Sequence, residues 1–188
     1  PNIDRLAPLS EEGMFRTVPE GFKPGSDVAN MSVMGFNPKK YYTGRSPLEA
    51  VAMGIGLKDT DVTLRANLVT LAGDGAYEEK TMADYSAGEI TTKEARELIE
   101  YLKKELDGDG FTLYPGISYR HCLVAENGVT GHELTPPHDI SDKKITDYLP
   151  KGRCADRYLA LMKRSYELLK DHPVNVARVK AGKNPANS

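Results

Sequence analysis

Apolar and polar positions change period several times along this chain, and each change marks an element. Residues 62–70 alternate, which puts Val62, Leu64, Ala66 and Leu68 on one face of a strand. Thr63, Arg65, Asn67 and Val69 then take the other face. Gly73-Asp74-Gly75 predicts a turn, with a return strand over 80–85 closing a hairpin with a longer loop. The period then lengthens. Thr91 and Glu94 form a capping box, and Ala95, Leu98, Ile99, Leu102 and Leu106 make one helical stripe that Gly108-Asp109-Gly110 ends.

Strands are predicted over 111–113 and 119–124, followed by a hairpin through Glu126-Asn127-Gly128 toward Leu134, because Asn-Gly favours such turns. Thr135-Pro136-Pro137 must leave the sheet, since adjacent prolines donate nothing to a ladder. A last long helix is predicted over 155–169, with Tyr158, Leu161, Met162, Ser165, Leu168 and Leu169 at helical spacing. His172-Pro173 breaks it, and a turn or two resumes over 174–180. Before residue 57 the chain is dense in Gly, Pro and Asn, with a short helix predicted over 46–53, where Pro47 suits the first turn. The fold class expected is mixed, α/β and α+β, with an antiparallel sheet and helices on one face.

Composition narrows the function. At 39% hydrophobic and 28% charged residues the chain can build a core. A net charge of −2 disfavours nucleic acid and membrane surfaces as partners, and no apolar run approaches the ~20 residues of a membrane span. Cys122 and Cys154 show neither metal spacing nor a disulfide framework, which suits a reducing, cytoplasmic setting. There is no signal peptide, Walker loop or GxGxxG motif. The chain does not begin with Met, and both ends read as cut.

Candidate chemistry gathers in a few places. In Pro24-Gly25-Ser26-Asp27-Val28-Ala29-Asn30 a tight turn leads into a helix. There Ser26 either sits where free N–H groups and the helix dipole favour a phosphate, or shares with Asp27 an ordinary capping role. Arg45 precedes another helix and is either an anion ligand or a packing residue. Arg65 and Asn67 share a strand face, Arg120 and His121 lie in an apolar stretch, and His138-Asp139 follows a rigid turn. Together these are donors for phosphate and carboxylate; singly, each also reads as a structural residue. Successive residues point to opposite faces, so one of Arg120 and His121 faces inward. His121, His132, His138 and His172 form no recognisable metal motif.

These blocks, with Pro1-Asn2-Ile3-Asp4-Arg5-Leu6, Tyr41-Tyr42-Thr43-Gly44-Arg45, Ser118-Tyr119-Arg120-His121 and Thr135-Pro136-Pro137-His138-Asp139-Ile140, resemble the archaeal-type cofactor-independent phosphoglycerate mutases of the alkaline phosphatase superfamily. Asp171-His172-Pro173-Val174-Asn175 and the 182–188 tail match as well, so the likeness runs through essentially the whole chain. The resemblance implies that Ser26 is the nucleophile and a metal ligand, with two divalent ions (Mn²⁺ or Mg²⁺) in the complete enzyme. It implies substrate-binding roles for Arg65, Asn67, Arg120, His121 and His138, and phosphoglycerate as the small-molecule partner. The family's other metal ligands fall outside this sequence. The expectation is therefore a fragment, inactive alone: a partial phosphatase-like core over 1–58, an inserted substrate-binding α+β domain over 59–180, and a return linker over 181–188. Rival expectations are another phosphomutase or phosphatase of the superfamily, and a lid module without chemistry.

Overall fold

A computed structural model describes residues 1–11 and 13–188. They form two compact units, Pro1–Arg45 and Ser46–Ser188. The first carries short helices α1 (Asn2–Leu6), α2 (Ser26–Val33) and α3 (Pro38–Tyr41). At its end begins α4 (Arg45–Ala52), followed by strands β1 (Val62–Asn67), β2 (Thr70–Ala72) and β3 (Thr81–Asp84). Then come α5 (Thr92–Leu106), β4 (Phe111–Ile117), β5 (Arg120–Ala125), β6 (His132–Glu133) and β7 (Lys151–Gly152). Helices α6 (Ala155–Leu169) and α7 (Pro173–Lys180) complete the second unit. None of the described helices is long and apolar enough to cross a membrane.

The main sheet is antiparallel in the order β1-β5-β4. Its register pairs Leu64 with Leu123 and Ala66 with His121, so these residues share a face. That face packs on Leu98, Ile99 and Leu102 of α5, and on Tyr158 and Leu161 of α6. The other face carries Arg65 opposite Cys122 and Asn67 opposite Arg120. Helices were expected on one face only, but Ala50 of α4 covers Cys122 and Val124 on the second. Residues on both faces of the central strand β5 are therefore buried, which explains its nearly continuous apolar run.

Helix α5 forms as its pattern dictates. Thr91 Oγ1 accepts from the Glu94 N–H, Glu94 reaches back to the Thr91 N–H, and the stripe from Ala95 to Leu102 is buried. Thr91→Ala should cost about 1 kcal/mol in denaturant unfolding. An unchanged midpoint would mean that the Glu94 contact with Arg178, 3.0 Å away, holds this end without the cap.

Three local expectations fail for physical reasons. The strand expected over 62–70 breaks after Asn67, because its backbone changes partners: Leu68 N–H donates to Tyr119, and Val69 N–H to Ser188. Alternation continues across the break, so the apolar pattern alone does not reveal it. Asn127-Gly128 is not a hairpin turn between β5 and β6. Asn127 is left-handed at φ +47°, β5 pairs with β1 and β4, and β6 pairs with β7. Finally, β4 runs on through Pro115, which is tolerated because β4 is an edge strand with a register shift between Tyr114 and Ile117.

The tail is tied in firmly. Asn187 bonds both backbone groups of Leu71 at 2.8 and 2.9 Å, and the Thr70 hydroxyl donates to Pro185. Buried Asn175 donates to the carbonyls of Leu169 and Ala186, and buried Arg178 to those of Ala87 and Asn184.

Candidate functional site

In the first unit, Gly25 is extended and stands at the N-cap of α2, with Ser26 as the first helical residue. No side chain caps this end, and the Ser26 side chain is exposed. Capping by Ser26 is therefore not its role here. Asp27 is the residue that organises the turn. Its Oδ1 accepts from the Val28 N–H at 3.0 Å, and its Oδ2 accepts from the Tyr42 hydroxyl at 2.5 Å. A Cβ on Gly25 would run into Asp27 Oδ1 and force that carboxylate to shift.

The Tyr42 bond is the main influence holding the Asp27 carboxyl below its ordinary range, and the Arg45 guanidinium adds to it. Burial, reinforced by the Asp27 carboxylate, pushes the Tyr42 hydroxyl up to about 12. Two separate sequence blocks thus meet around the residue next to Ser26. Sequence reasoning gave Asp27 only a capping role and Tyr42 only a place in a motif block, since a carboxylate at a helix start and a tyrosine in a loop each have commonplace explanations.

In the second unit a polar strip forms on one face of the β1–β5 pair. Asn67 and Arg120 are cross-strand partners, and Arg65 lies two residues along the same face with its Nε 3.8 Å from Glu49. The Arg120 guanidinium stands over the Tyr119 ring at 5.2 Å. Tyr119 meets Tyr85 edge-on at 6.0 Å, and Tyr85 meets the His138 ring at 6.2 Å. Exposed His138 is 3.5 Å from Asp139. The fold therefore links Asn67, Arg120 and His138, which are far apart in sequence, through two tyrosines that the sequence reading did not single out. Tyr119 carried a signal in its place beside Arg120, whereas Tyr85 carried none.

His121 stands apart from them. It takes the opposite face from Arg120, as the alternation of the strand requires, and is only 3% exposed. Its Nδ1 accepts from the Gly116 N–H at 3.0 Å, while among the described residues its Nε2 has no hydrogen-bond partner. Burial lowers its pKa to about 4, so the ring is neutral.

A cavity of about 240 Å³ in the second unit is lined largely by side chains such as Leu68, Ile99, Leu113, Met82 and Leu161. Arg65, Asn67 and His121 also line it, with Arg65 as its one arginine. Cys122 is buried on the opposite face from His121, and burial pushes its thiol up to about 11, which makes it unreactive. No three His, Cys, Asp or Glu side chains among the described residues are grouped to hold a metal ion.

The second unit is thus an antiparallel α+β unit with a polar strip, and the first presents a serine exposed at a helix start. The matching family is 2,3-bisphosphoglycerate-independent phosphoglycerate mutase, whose profile spans residues 7–175. The chain belongs to that family. It is 49% identical over its full length to the Methanosarcina barkeri mutase, of which it covers 46%. It is 50% identical to a probable mutase of Geobacter sulfurreducens, covering 47% of that protein. Among solved structures, the cofactor-independent phosphoglycerate mutase of Thermoplasma acidophilum matches with a TM-score of 0.63 and 26% identity. That match covers 88% of this chain and 45% of the other. The chain thus spans just under half the length of these relatives.

Proposed function

We propose that this chain is the nucleophile-bearing and substrate-gripping part of a mutase that interconverts 3-phosphoglycerate and 2-phosphoglycerate. The observation that carries the reading is Ser26, exposed at the start of α2 beside a carboxylate already committed to Tyr42. The backbone N–H groups of that first helical turn favour the charge of a phosphoryl group. In the proposed cycle the Ser26 oxygen attacks phosphorus, the bond from phosphorus to the glycerate oxygen breaks, and the serine proton passes to the departing alkoxide. The glycerate then turns within its site, its other hydroxyl attacks phosphorus, the bond from phosphorus to the Ser26 oxygen breaks, and the proton of that hydroxyl returns to Ser26. One site can therefore shift phosphate between two oxygens without a diphosphorylated cofactor.

Arg120, Asn67 and Arg65 hold the glycerate end in this reading, with His138 at the far end of the tyrosine strip. Arginine suits the task because its planar fork binds a carboxylate or phosphate through two hydrogen bonds. Two divalent metals, manganese or magnesium, would supply charge for the transfer, with the Ser26 hydroxyl as one oxygen donor. The described residues do not complete such a donor set. Glycolysis and gluconeogenesis in the cytoplasm are the setting that this reading implies.

Calorimetric titration with 3-phosphoglycerate, using glycerate and inorganic phosphate as controls, tests the grip. Selective binding should weaken at least tenfold in Arg120→Ala, as for loss of a charge-assisted pair worth about 1.5–3 kcal/mol. Equal affinity in that variant would remove Arg120 from the site. A second reading, a substrate-binding lid without chemistry of its own, is favoured by the second unit's self-contained core clusters. Metal-dependent mutase activity that requires Ser26 in the full-length protein would exclude it.

A further inference from the structure

The turn between β4 and β5 is held by more bonds than closing a hairpin requires. Ser118 is left-handed at φ +54°, a conformation that disfavours any residue with a Cβ. Its hydroxyl donates to the Ile90 carbonyl at 2.8 Å, and its N–H to Thr92 Oγ1 at 3.1 Å, fixing the tip to the start of α5. The Tyr119 carbonyl accepts from the Leu68 N–H at 2.9 Å, tying the tip to the end of β1. Gly116 cannot carry a side chain, because a Cβ there would strike the Arg120 carbonyl oxygen.

Gly116 also falls inside the register shift between Tyr114 and Ile117, where the ladder offers its N–H no paired residue. A part-buried N–H gains from an acceptor, and His121 Nδ1 fills that place. A ring that only filled the core would not need to be a histidine. Leucine or phenylalanine would fill it as well, without burying an unpaired Nε2.

Resting on the substrate-strip reading above, we propose that His121 is a positioning residue: through Gly116 it locks the β4–β5 turn in the one conformation that presents Arg120 and Tyr119 to substrate. His121 does not touch substrate in this arrangement, since it lies on the opposite face from Arg120. Its effect passes along two adjacent peptide units. The His121 ring holds the Gly116 N–H, Gly116 packs against the Arg120 carbonyl, and the Arg120 side chain leaves from that same residue on the other face.

Two variants separate this role from simple packing. His121→Asn keeps an acceptor near the position of Nδ1, whereas His121→Leu keeps apolar bulk and loses the acceptor. In this chain, nitrogen-15 NMR should show the His121 proton on Nε2 and a Gly116 amide protected from exchange. That protection should be lost in His121→Leu and recovered in His121→Asn.

In a full-length mutase carrying this sequence, His121→Leu should raise KM for 3-phosphoglycerate about tenfold with kcat changed much less. Asn should restore KM, and the effect should largely vanish in an Arg120→Ala background because both changes remove one function. A proton on Nδ1, unchanged Gly116 exchange in His121→Leu, or KM effects that add to those of Arg120→Ala would overturn the proposal. If the unmodified full-length protein shows no mutase activity, the mutase reading fails, and the positioning role falls with it even where the NMR result confirms the lock.

Discussion

Replacing Ser26 with alanine in the full-length mutase should lower turnover by at least about four orders of magnitude, the scale on which removing a nucleophile acts in other covalent mechanisms. Stability should change by less than about 0.5 kcal/mol. The two halves of this expectation rest on different observations. The loss of rate follows from the phosphoserine proposed above, since no other exposed hydroxyl occupies the first turn of α2. The small stability cost follows from the side chain itself, which is exposed and caps nothing.

The same substitution at the neighbouring residue should affect stability as well. Asp27→Ala removes the acceptor for both Val28 and Tyr42, so it should loosen the turn as well as slow the reaction. A coupled assay and thermal unfolding, run on both variants, make the comparison. Retention of even a few per cent of turnover in Ser26→Ala would end the phosphoserine mechanism. A large fall in melting temperature in that variant would instead show a structural serine.

How much of this was legible depends on the range of the interactions involved. Helix α5 was legible because a capping box and a stripe are local signals that also agree with its tertiary burial. The strands were legible as strands, yet their partners were not. The handover of Leu68 and Val69 from the sheet to Tyr119 and Ser188 is a non-local event that leaves the alternation intact. Asn127-Gly128 misled for the same reason: the pair permits a tight turn but does not choose which strand follows.

At the candidate site, period-2 reasoning correctly put Arg65 with Asn67, and required Arg120 and His121 to part. It could not show that the inward residue would be His121. Nor could it show that Tyr85 and Tyr119 would bridge Arg120 to His138, since those contacts join residues from separate elements. The division of labour between Ser26 and Asp27 was invisible for a further reason. Both are good caps in isolation, and only the approach of Tyr42 commits Asp27 to the turn and leaves the serine free of it.

Acid should begin to destabilise the fold as pH falls below 6.5, and His121 should be the cause. Its pKa lies at about 4 in the folded chain against an ordinary value of 6.5, with burial as the reason. Below pH 6.5 the unfolded chain takes up a proton that the folded chain refuses, so protons favour unfolding. Stability is complete above pH 6.5, falls as pH drops toward 4, and levels off for this group once the folded ring is protonated too. The total is about 3 kcal/mol at 1.36 kcal/mol per unit, of which about 2 kcal/mol is lost between pH 6.5 and 5.

The carboxylates act lower down. Asp27 is held below its ordinary value of 3.8 chiefly by Tyr42, so its contribution disappears only in stronger acid. For Glu94, burial pulls the other way but is outweighed by Thr91 and Arg178, which hold it below 4.5. Urea unfolding of this chain at half-unit steps from pH 7.5 to 5 should therefore show a slope that His121→Asn flattens. If the wild-type and Asn profiles run parallel, the ring titrates alike in folded and unfolded chains and is not shut away from water. Protonation would also remove the Nδ1 acceptor from Gly116. Below that range, as pH nears 4, the β4–β5 turn should then be released, with Gly116 exchange rising ahead of global unfolding.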